Sequence, residues 1–416
     1  MEKIFISNLT IENVRHLRNI SIPLSVGESK HLIFTGRNGC GKTSVLEALS
    51  QYLNTIATSD RIEKASYFLK NHEERLKTLQ DQNVRTSETI EEEKSVKKYK
   101  NELDAIKSGI SVKFNQADDR IRYCFEKGQF IIACYKADRV FLADKPLHVE
   151  KIKLNDKYLI TDRPRKDFVK YLLDIKVTEA LAKSKGNYEK AEIISKWFSN
   201  FERLLQKIFD DASLQLIFEE DTFSFFIKEE NREIFDFNTM SSGFAAVLDI
   251  VLDIILRMEK QSNKTFDFNI PGIVLIDEIE THLHLELQKS VLNLLTTVFP
   301  NVQFIMSTHS PFVLNSLPNV VIYDLENGVL VENGLSDIPY NGIVEGYFNS
   351  SEMSNLLKKK FDRYCHLVKQ DTLSDDDFAE IAELEMFLSE IPDYLALNIT
   401  TEFQRLKLEF EKREDI

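Results

Sequence analysis

Gly36-Arg37-Asn38-Gly39-Cys40-Gly41-Lys42-Thr43 fits the pattern G-x-x-x-x-G-K-[ST], with Ser44 directly after it. Glycines let backbone amides curl around phosphate oxygens, a lysine at this place reaches the β and γ phosphates of a nucleotide, and a threonine hydroxyl is a ligand for Mg²⁺. Further along, Ile273-Val274-Leu275-Ile276-Asp277-Glu278 is an apolar run ending in two acids. The first acid suits a metal ion and the second suits polarising an attacking water, the division of labour that phosphoryl transfer uses. Two acids at a strand end are a weak signal alone and a strong one downstream of a phosphate loop. Phe304-Ile305-Met306-Ser307-Thr308-His309 is another such run, whose terminal imidazole can sense a γ phosphate. A lone histidine there is usually structural; its position after the acids favours a chemical role. Met240-Ser241-Ser242-Gly243 precedes a helical stripe of Phe244, Val247, Val251 and Ile254. Small hydroxyl residues and a glycine at a helix start form an anion site, because open amides and the helix dipole point the same way. In isolation the same residues are only an N-cap.

These groups need strands that end at them and helices that begin at them. Lys30-His31-Leu32-Ile33-Phe34 reads as a buried strand running into Gly36, and Val45, Leu46, Leu49 and Leu53 read as the helix behind the loop. Ile4, Ile6, Leu9 and Ile11 suggest extended structure, as do Ile121, Tyr123 and Phe125 and then Phe130 to Tyr135. Apolar residues from Ile62 to Leu79, and again at Val96, Tyr99, Leu103, Ile106 and Ile110, step by threes and fours on either side of a polar stretch from Asp81 to Glu88. That pattern reads as an antiparallel coiled-coil hairpin reaching on the order of 30 Å, or as two amphipathic helices lying on the globular body. A helical block follows over about 165–210, then short strands at 213–218, 222–228 and 234–237. A helix from Gly243, a strand at 273–276, a helix at 285–298 and a strand at 303–306 complete a β and α alternation that implies a mainly parallel sheet covered by helices.

Length and composition agree with a folded α/β protein. The 416 residues are 43% hydrophobic and 29% charged, ample for a sizeable core in two or three compact units. Cys40, Cys124, Cys134 and Cys365 show no paired spacing, which argues against a disulfide framework or zinc ribbon and for a reducing, cytoplasmic setting. No apolar run approaches the length of a membrane span and no secretory address opens the chain. A net charge of −14 gives no general attraction for phosphate backbones, so DNA contact, if made, needs a local patch or a partner. Asp249 and Asp253, four apart, are expected on a solvated face, and Arg163, Arg165 and Lys166, like Lys358 to Lys360, as surface charges.

The loop at Gly36, Ser241-Ser242-Gly243, Asp277-Glu278 and Ser307-Thr308-His309 occur in the order seen in ABC-type ATPases. The opening Leu9-Thr10-Ile11-Glu12-Asn13-Val14-Arg15 and the run Asp277 to His284 resemble the SMC, RecF and OLD branch, with ATPase subunits of bacterial antiphage systems, Septu and retron-linked ones included, as the nearest relatives. The resemblance covers roughly residues 1–320. It implies a P-loop ABC-type ATPase head with a mainly parallel sheet, a short helical hairpin insertion, a helical subdomain and a helical C-terminal tail. The expected segments are 1–58, carrying the phosphate loop; 59–112, the hairpin; 113–160, head strands; 161–212, the helical subdomain; 213–335, carrying the signature, acids and histidine switch; and 336–416, a partner-docking region. ATP and Mg²⁺ are the implied ligands. The nucleotide would be held by residues 36–44, including Arg37, Asn38 and Cys40, and by Ser241, Ser242 and Gly243, with Thr43 and Asp277 on the metal and Glu278 and His309 as catalytic groups. The signature would come from a second copy, so self-association is implied. Two departures stand out: Phe244 follows the signature where related sequences carry a charged residue and glutamine, and no Q-loop glutamine is secure, with the segment Tyr135 to Arg139 favoured over Gln129. Glu280, His282 and His284 read either as metal donors or, by the resemblance, as a loop making contacts across a dimer.

Three functions follow in order. The first is a dimerising ATPase that controls an effector encoded nearby, a nuclease being the favoured kind. The second is a nucleotide-gated scaffold with little turnover, its tail docking a partner through Leu384, Phe387, Leu388 and Ile391; a maintenance ATPase of the RecF type is its neighbour. The third, a nuclease in this same chain, is disfavoured because the sequence after Pro318 lacks an acidic βαβ arrangement, Ser374-Asp375-Asp376-Asp377 reading as a helix start.

Overall fold

The computed structural model describes residues 3–81, 87–146, 148–230, 232–339, 342–343, 355–370, 372–389 and 397–413. Strands β1 (Ile6–Val14), β2 (Leu17–Pro23) and β4 (Ile110–Phe114) form a three-stranded antiparallel sheet in the order β2-β1-β4. The central sheet has six strands. Its order is β12 (Val329–Val331), β11 (Val320–Asp324), β3 (His31–Thr35), β10 (Val302–Ser307), β9 (Gly272–Ile276) and β5 (Ile131–Tyr135), parallel throughout except for the edge strand β12. β3, β9, β10 and β11 are buried at every residue, as expected of parallel strands covered on both faces. A third sheet, β6 (Gln215–Glu219), β7 (Ser224–Lys228) and β8 (Phe235–Asp236), is antiparallel.

Three parallel strands end side by side at the residues singled out for chemistry. β3 runs into Gly36, β9 into Asp277, and β10, lying between them, ends at Ser307. Helix α1 (Lys42–Thr58) begins at the loop and buries Val45, Leu46, Leu49 and Leu53, the predicted stripe, against the core. Two helices, α2 (Arg61–Asp81) and α3 (Ser87–Lys107), form the hairpin arms, with stacked rings of Phe68, Tyr99 and His72 and a 2.5 Å contact from His72 Nδ1 to Glu92 between them. Ile110, expected at the end of the second arm, starts β4 instead.

A second difference lies at 118–126, where the expected strand is helix α4 (Asp118–Glu126). Its buried residues Ile121, Cys124 and Phe125 follow helical spacing, and Tyr123, the middle member of the apparent alternation, is 52% exposed. Helices α5 (Phe168–Ser184) and α6 (Tyr188–Phe209) pack through Phe168, Phe201 and Trp197, and α7 (Ser242–Ser262) is buried over most of its circumference. Helix α8 (Leu285–Val298) lies between β9 and β10 in sequence, and the short α9 (Pro311–Leu314) follows β10.

Contacts divide the chain into two compact units, 1–338 and 339–416. The second contains helices α10 (Asn355–Leu367), α11 (Asp375–Ser389) and α12 (Leu397–Glu411) around a core of Tyr364, Leu367, Ile381, Leu384, Leu388 and Phe403. Leu384 and Leu388 of the expected docking stripe therefore face that core, Phe387 packs partly buried against it under Lys360, and Ile391 lies outside the described residues. Among the described residues no helix is long and apolar enough to cross a membrane.

Candidate nucleotide site

The loop between β3 and α1 has the backbone that its glycines permit. Gly36 has φ +121°, and a Cβ there would meet Cys40 Sγ at 3.0 Å and Asp324 Oδ1 at 3.2 Å; Gly41 has φ +105° and its Cβ would meet Leu17 Cδ1 at 3.0 Å. At both positions a side chain is strained by the backbone conformation and its Cβ is crowded. Gly41 also stands at the N-cap of α1, where no side chain caps the helix and no acid sits in the first turn, so the first amides remain open to an anion. Lys42 is buried, and its Nζ donates to the carbonyls of Gly36 at 2.8 Å and Arg37 at 3.1 Å. Arg37 is tied down by a residue the sequence did not single out: Glu326 accepts its backbone N–H at 3.0 Å and pairs with its guanidinium at 3.3 Å.

Asp277 is buried at the end of β9, where Ser307 Oγ donates to its Oδ1 at 2.5 Å. The same Ser307 oxygen accepts the N–H of Glu278 at 2.7 Å, so one hydroxyl at the tip of β10 orients both acids. Glu278 has φ 46°, a left-handed conformation that costs a non-glycine residue about 1–2 kcal/mol and is held only where the surroundings impose it. Thr43 and Asp277 line one open cleft of about 580 Å³ with Gln51, Lys136 and Asp138. The favoured Q-loop segment is thus in the cleft, whereas Gln129 sits at the opposite end of β5, its N–H bonded to Cys124.

His309 is fixed by Glu280, which accepts its backbone N–H at 2.6 Å and the Thr308 hydroxyl at 2.7 Å. Glu280 therefore serves the histidine. His284 is likewise used locally, its Nδ1 accepting the N–H of Leu287 at 3.3 Å as the cap of α8. Burial, and then the positive charge of Lys42, lower the pKa of His309 below its ordinary 6.5, against the opposing pull of Glu280, Glu278 and Asp277. The imidazole is neutral at pH 7, and its Nε2 is buried with no hydrogen-bond partner. A buried polar atom of this kind calls for a ligand.

Ser241 and Gly243 behave differently. Ser241 is the N-cap of α7 without a side-chain capping bond, and Gly243 packs so closely on the carbonyl of His282 that a Cβ would lie 3.0 Å from it. Among the described residues, no hydrogen bond joins 241–243 to the loop 36–44. Phe244 stacks on Phe209 at 4.0 Å between centroids and meets His284 edge-on, which gives the aromatic substitution a packing role.

Asp249 and Asp253, expected in solvent, are 1% and 0% exposed. Asp253 accepts from Tyr135 at 2.8 Å and from Arg257 Nε at 2.7 Å, and Asp249 pairs with Arg165. Arg165 and Arg163, expected as free surface charges, belong to this region too, Arg163 donating to the Cys134 carbonyl at 2.9 Å. Burial pushes the pKa of Asp249 up to about 6, with Arg165 opposing the shift. The network ties α7 to β5 and to the chain beyond it, since Arg257 also donates to the carbonyls of Ile132, Leu159 and Asp162.

Two protein-family models match the chain, "AAA ATPase domain" over residues 5–192 and "AAA domain, putative AbiEii toxin, Type IV TA system" over residues 142–315. The chain is 26% identical over 410 residues to the "Septu protein PtuA" of Bacillus mycoides (strain KBAB4), which takes in 92% of this chain and 50% of that protein. It is 23% identical over 376 residues to the "Retron Vc95 probable ATPase" of Vibrio cholerae serotype O1 biovar El Tor, covering 76% of this chain and 72% of that one. It thus spans about half the length of the Septu protein that it matches. Among solved structures, an Smc head domain with an extended coiled coil, bound to the C-terminal domain of ScpA derived from Pyrococcus furiosus, is similar at 15% identity and a TM-score of 0.39, over 83% of this chain and 100% of that one. The phosphate loop, the acid pair and the parallel sheet thus stand in a chain similar to Septu and retron ATPases and matched in two parts by AAA domain models.

Proposed function

We propose that the chain binds and hydrolyses ATP, dimerises around it, and uses that cycle to control an effector, a separate nuclease subunit, in bacterial antiphage defence. The observation that carries this reading is the convergence of Lys42, Asp277, Glu278 and the unpartnered Nε2 of His309 at the ends of three adjacent strands. Open amides at residues 41–44 receive the phosphates, and Lys42 exchanges its loop carbonyls for β and γ oxygens. Glu278 takes a proton from the attacking water, and neutral His309 offers a hydrogen bond to the γ phosphate. The hydroxyl of Thr43 and the carboxylate of Asp277, hard oxygen donors on one cleft, fit Mg²⁺. That ion, when bound, neutralises charge on the phosphate oxygens. The uncapped start of α7 suits a second phosphate contact, supplied to the partner copy and not to the same chain.

Control of an effector is tested in cells that carry the intact native operon. There, Lys42→Ala reduces plaque protection to the level of an empty vector, and a nuclease subunit co-purifies with the wild-type chain. Protection that survives Lys42→Ala, or DNA cleavage by the purified chain alone, overturns the reading.

A further inference from the structure

Arg139, four residues beyond β5, is 4% exposed, and the hydrogen bonds of its guanidinium all go to main-chain carbonyls. Its guanidinium is spent on backbone. Nη1 donates to the carbonyls of Lys136 at 3.0 Å and Asp277 at 2.7 Å; Nη2 donates to those of Glu278 at 2.9 Å and Ile279 at 3.2 Å. Three successive carbonyls can converge on one cation here because Glu278 is left-handed, with φ 46°. On the other side of the same turn, Ser307 Oγ receives the Glu278 N–H at 2.7 Å. The turn is therefore gripped by a hydroxyl on its amide side and by a planar fork on its carbonyl side. A lysine, a single point of donors on a flexible stem, cannot reproduce the fork.

Burial disfavours the cation, and Asp249 is the foremost of the charges that offset this, ahead of Glu280, Asp277 and Glu278. Asp249 lies about two turns along α7 from Ser242, so the counter-charge comes from the helix that opens with Ser241-Ser242-Gly243.

We propose that Arg139 is a positioning residue for Glu278: by clamping the carbonyls of residues 277–279 it holds the turn in the left-handed form that aims the Glu278 carboxylate. The proposal rests on the reading of Glu278 as the group that activates water. Without the clamp, the turn relaxes toward an unstrained conformation and the carboxylate leaves its place, while the phosphate loop keeps its own geometry.

The test measures kcat for ATP hydrolysis, Kd for Mg-ATP and Tm for the full chain with Arg139→Gln and with Arg139→Lys. Both variants are expected to lose at least about 10-fold in kcat with Kd changed by less than about 3-fold, and the lysine does not rescue. In a double-mutant cycle, Arg139→Gln adds nothing to the loss caused by Glu278→Gln, because both act through one carboxylate. A kcat near the wild-type value in either variant, a loss fully additive with Glu278→Gln, or failure of both variants to fold overturns the proposal. Glu278→Gln alone separates the two layers: if it hydrolyses ATP at the wild-type rate, the underlying reading of the site has failed whatever the Arg139 variants do.

Discussion

Glu278→Gln lowers ATP hydrolysis by roughly 10²–10⁴-fold, the range a positioned general base supplies, and leaves ATP binding within a few-fold of wild type. Glutamine keeps the size of the side chain and its capacity to accept from Thr281, whose hydroxyl lies 3.2 Å from the glutamate Oε2. The backbone turn is held through Ser307 and Arg139 by main-chain groups that the substitution leaves unchanged. What disappears is the negative charge that, on the proposed mechanism, takes a proton from water. Steady-state hydrolysis and equilibrium binding of ATP to the same preparation check both halves. With hydrolysis blocked and binding intact, the nucleotide-loaded dimer accumulates, visible as a doubled mass when ATP and Mg²⁺ are added.

Lys42→Ala acts one step earlier. The ammonium is the charge of the loop itself, buried, and satisfied in the absence of nucleotide by the carbonyls of Gly36 and Arg37. Loss of a charge-assisted contact to phosphate in such a setting costs about 3–4 kcal/mol, or roughly 10²–10³-fold in Kd. The expected result is no measurable ATP binding at micromolar nucleotide by calorimetry, with a Tm near that of the wild type. Alanine retains the helix start and its open amides, so the loop survives without its anion affinity. The two variants thus dissect binding from turnover.

How far the molecule is legible in its sequence depends on how tightly chemistry constrains residue type. The loop 36–44 is readable because glycines, lysine and threonine each have a separate task, and the strands before it and before Asp277 stand out because parallel strands buried on both faces are continuously apolar. Residues 121–125 mislead because 121/123/125 and 121/124/125 are both apolar sets, one fitting a strand and the other a helix. Asp249 and Asp253 carried a signal against the solvated reading: the helix around them is apolar on every side, from Ala245 to Leu256, and offers no solvent face on which acids could sit. Their partner Arg165 is distant in the chain, and no local pattern pairs them. Glu280 shows the same limit. Its type suits a metal, and only the folded structure turns it toward Thr308 and His309. Arg139 ends the segment read as a Q-loop without a task of its own there, and Glu326 lies in no motif; both bond to backbone atoms, which any sequence supplies.

A composite site, with the phosphate loop of one copy facing the helix start at Ser241-Ser242-Gly243 of another, makes a demand that no single variant can test. Lys42→Ala spoils one half of each site and Ser242→Arg spoils the other, so each preparation alone should be inactive. Mixed in equal amounts and allowed to exchange, half of the dimers contain one intact site, and hydrolysis returns to roughly a quarter of the wild-type rate by simple counting of two-fold dimers. A mixture no more active than its parts would contradict the shared site.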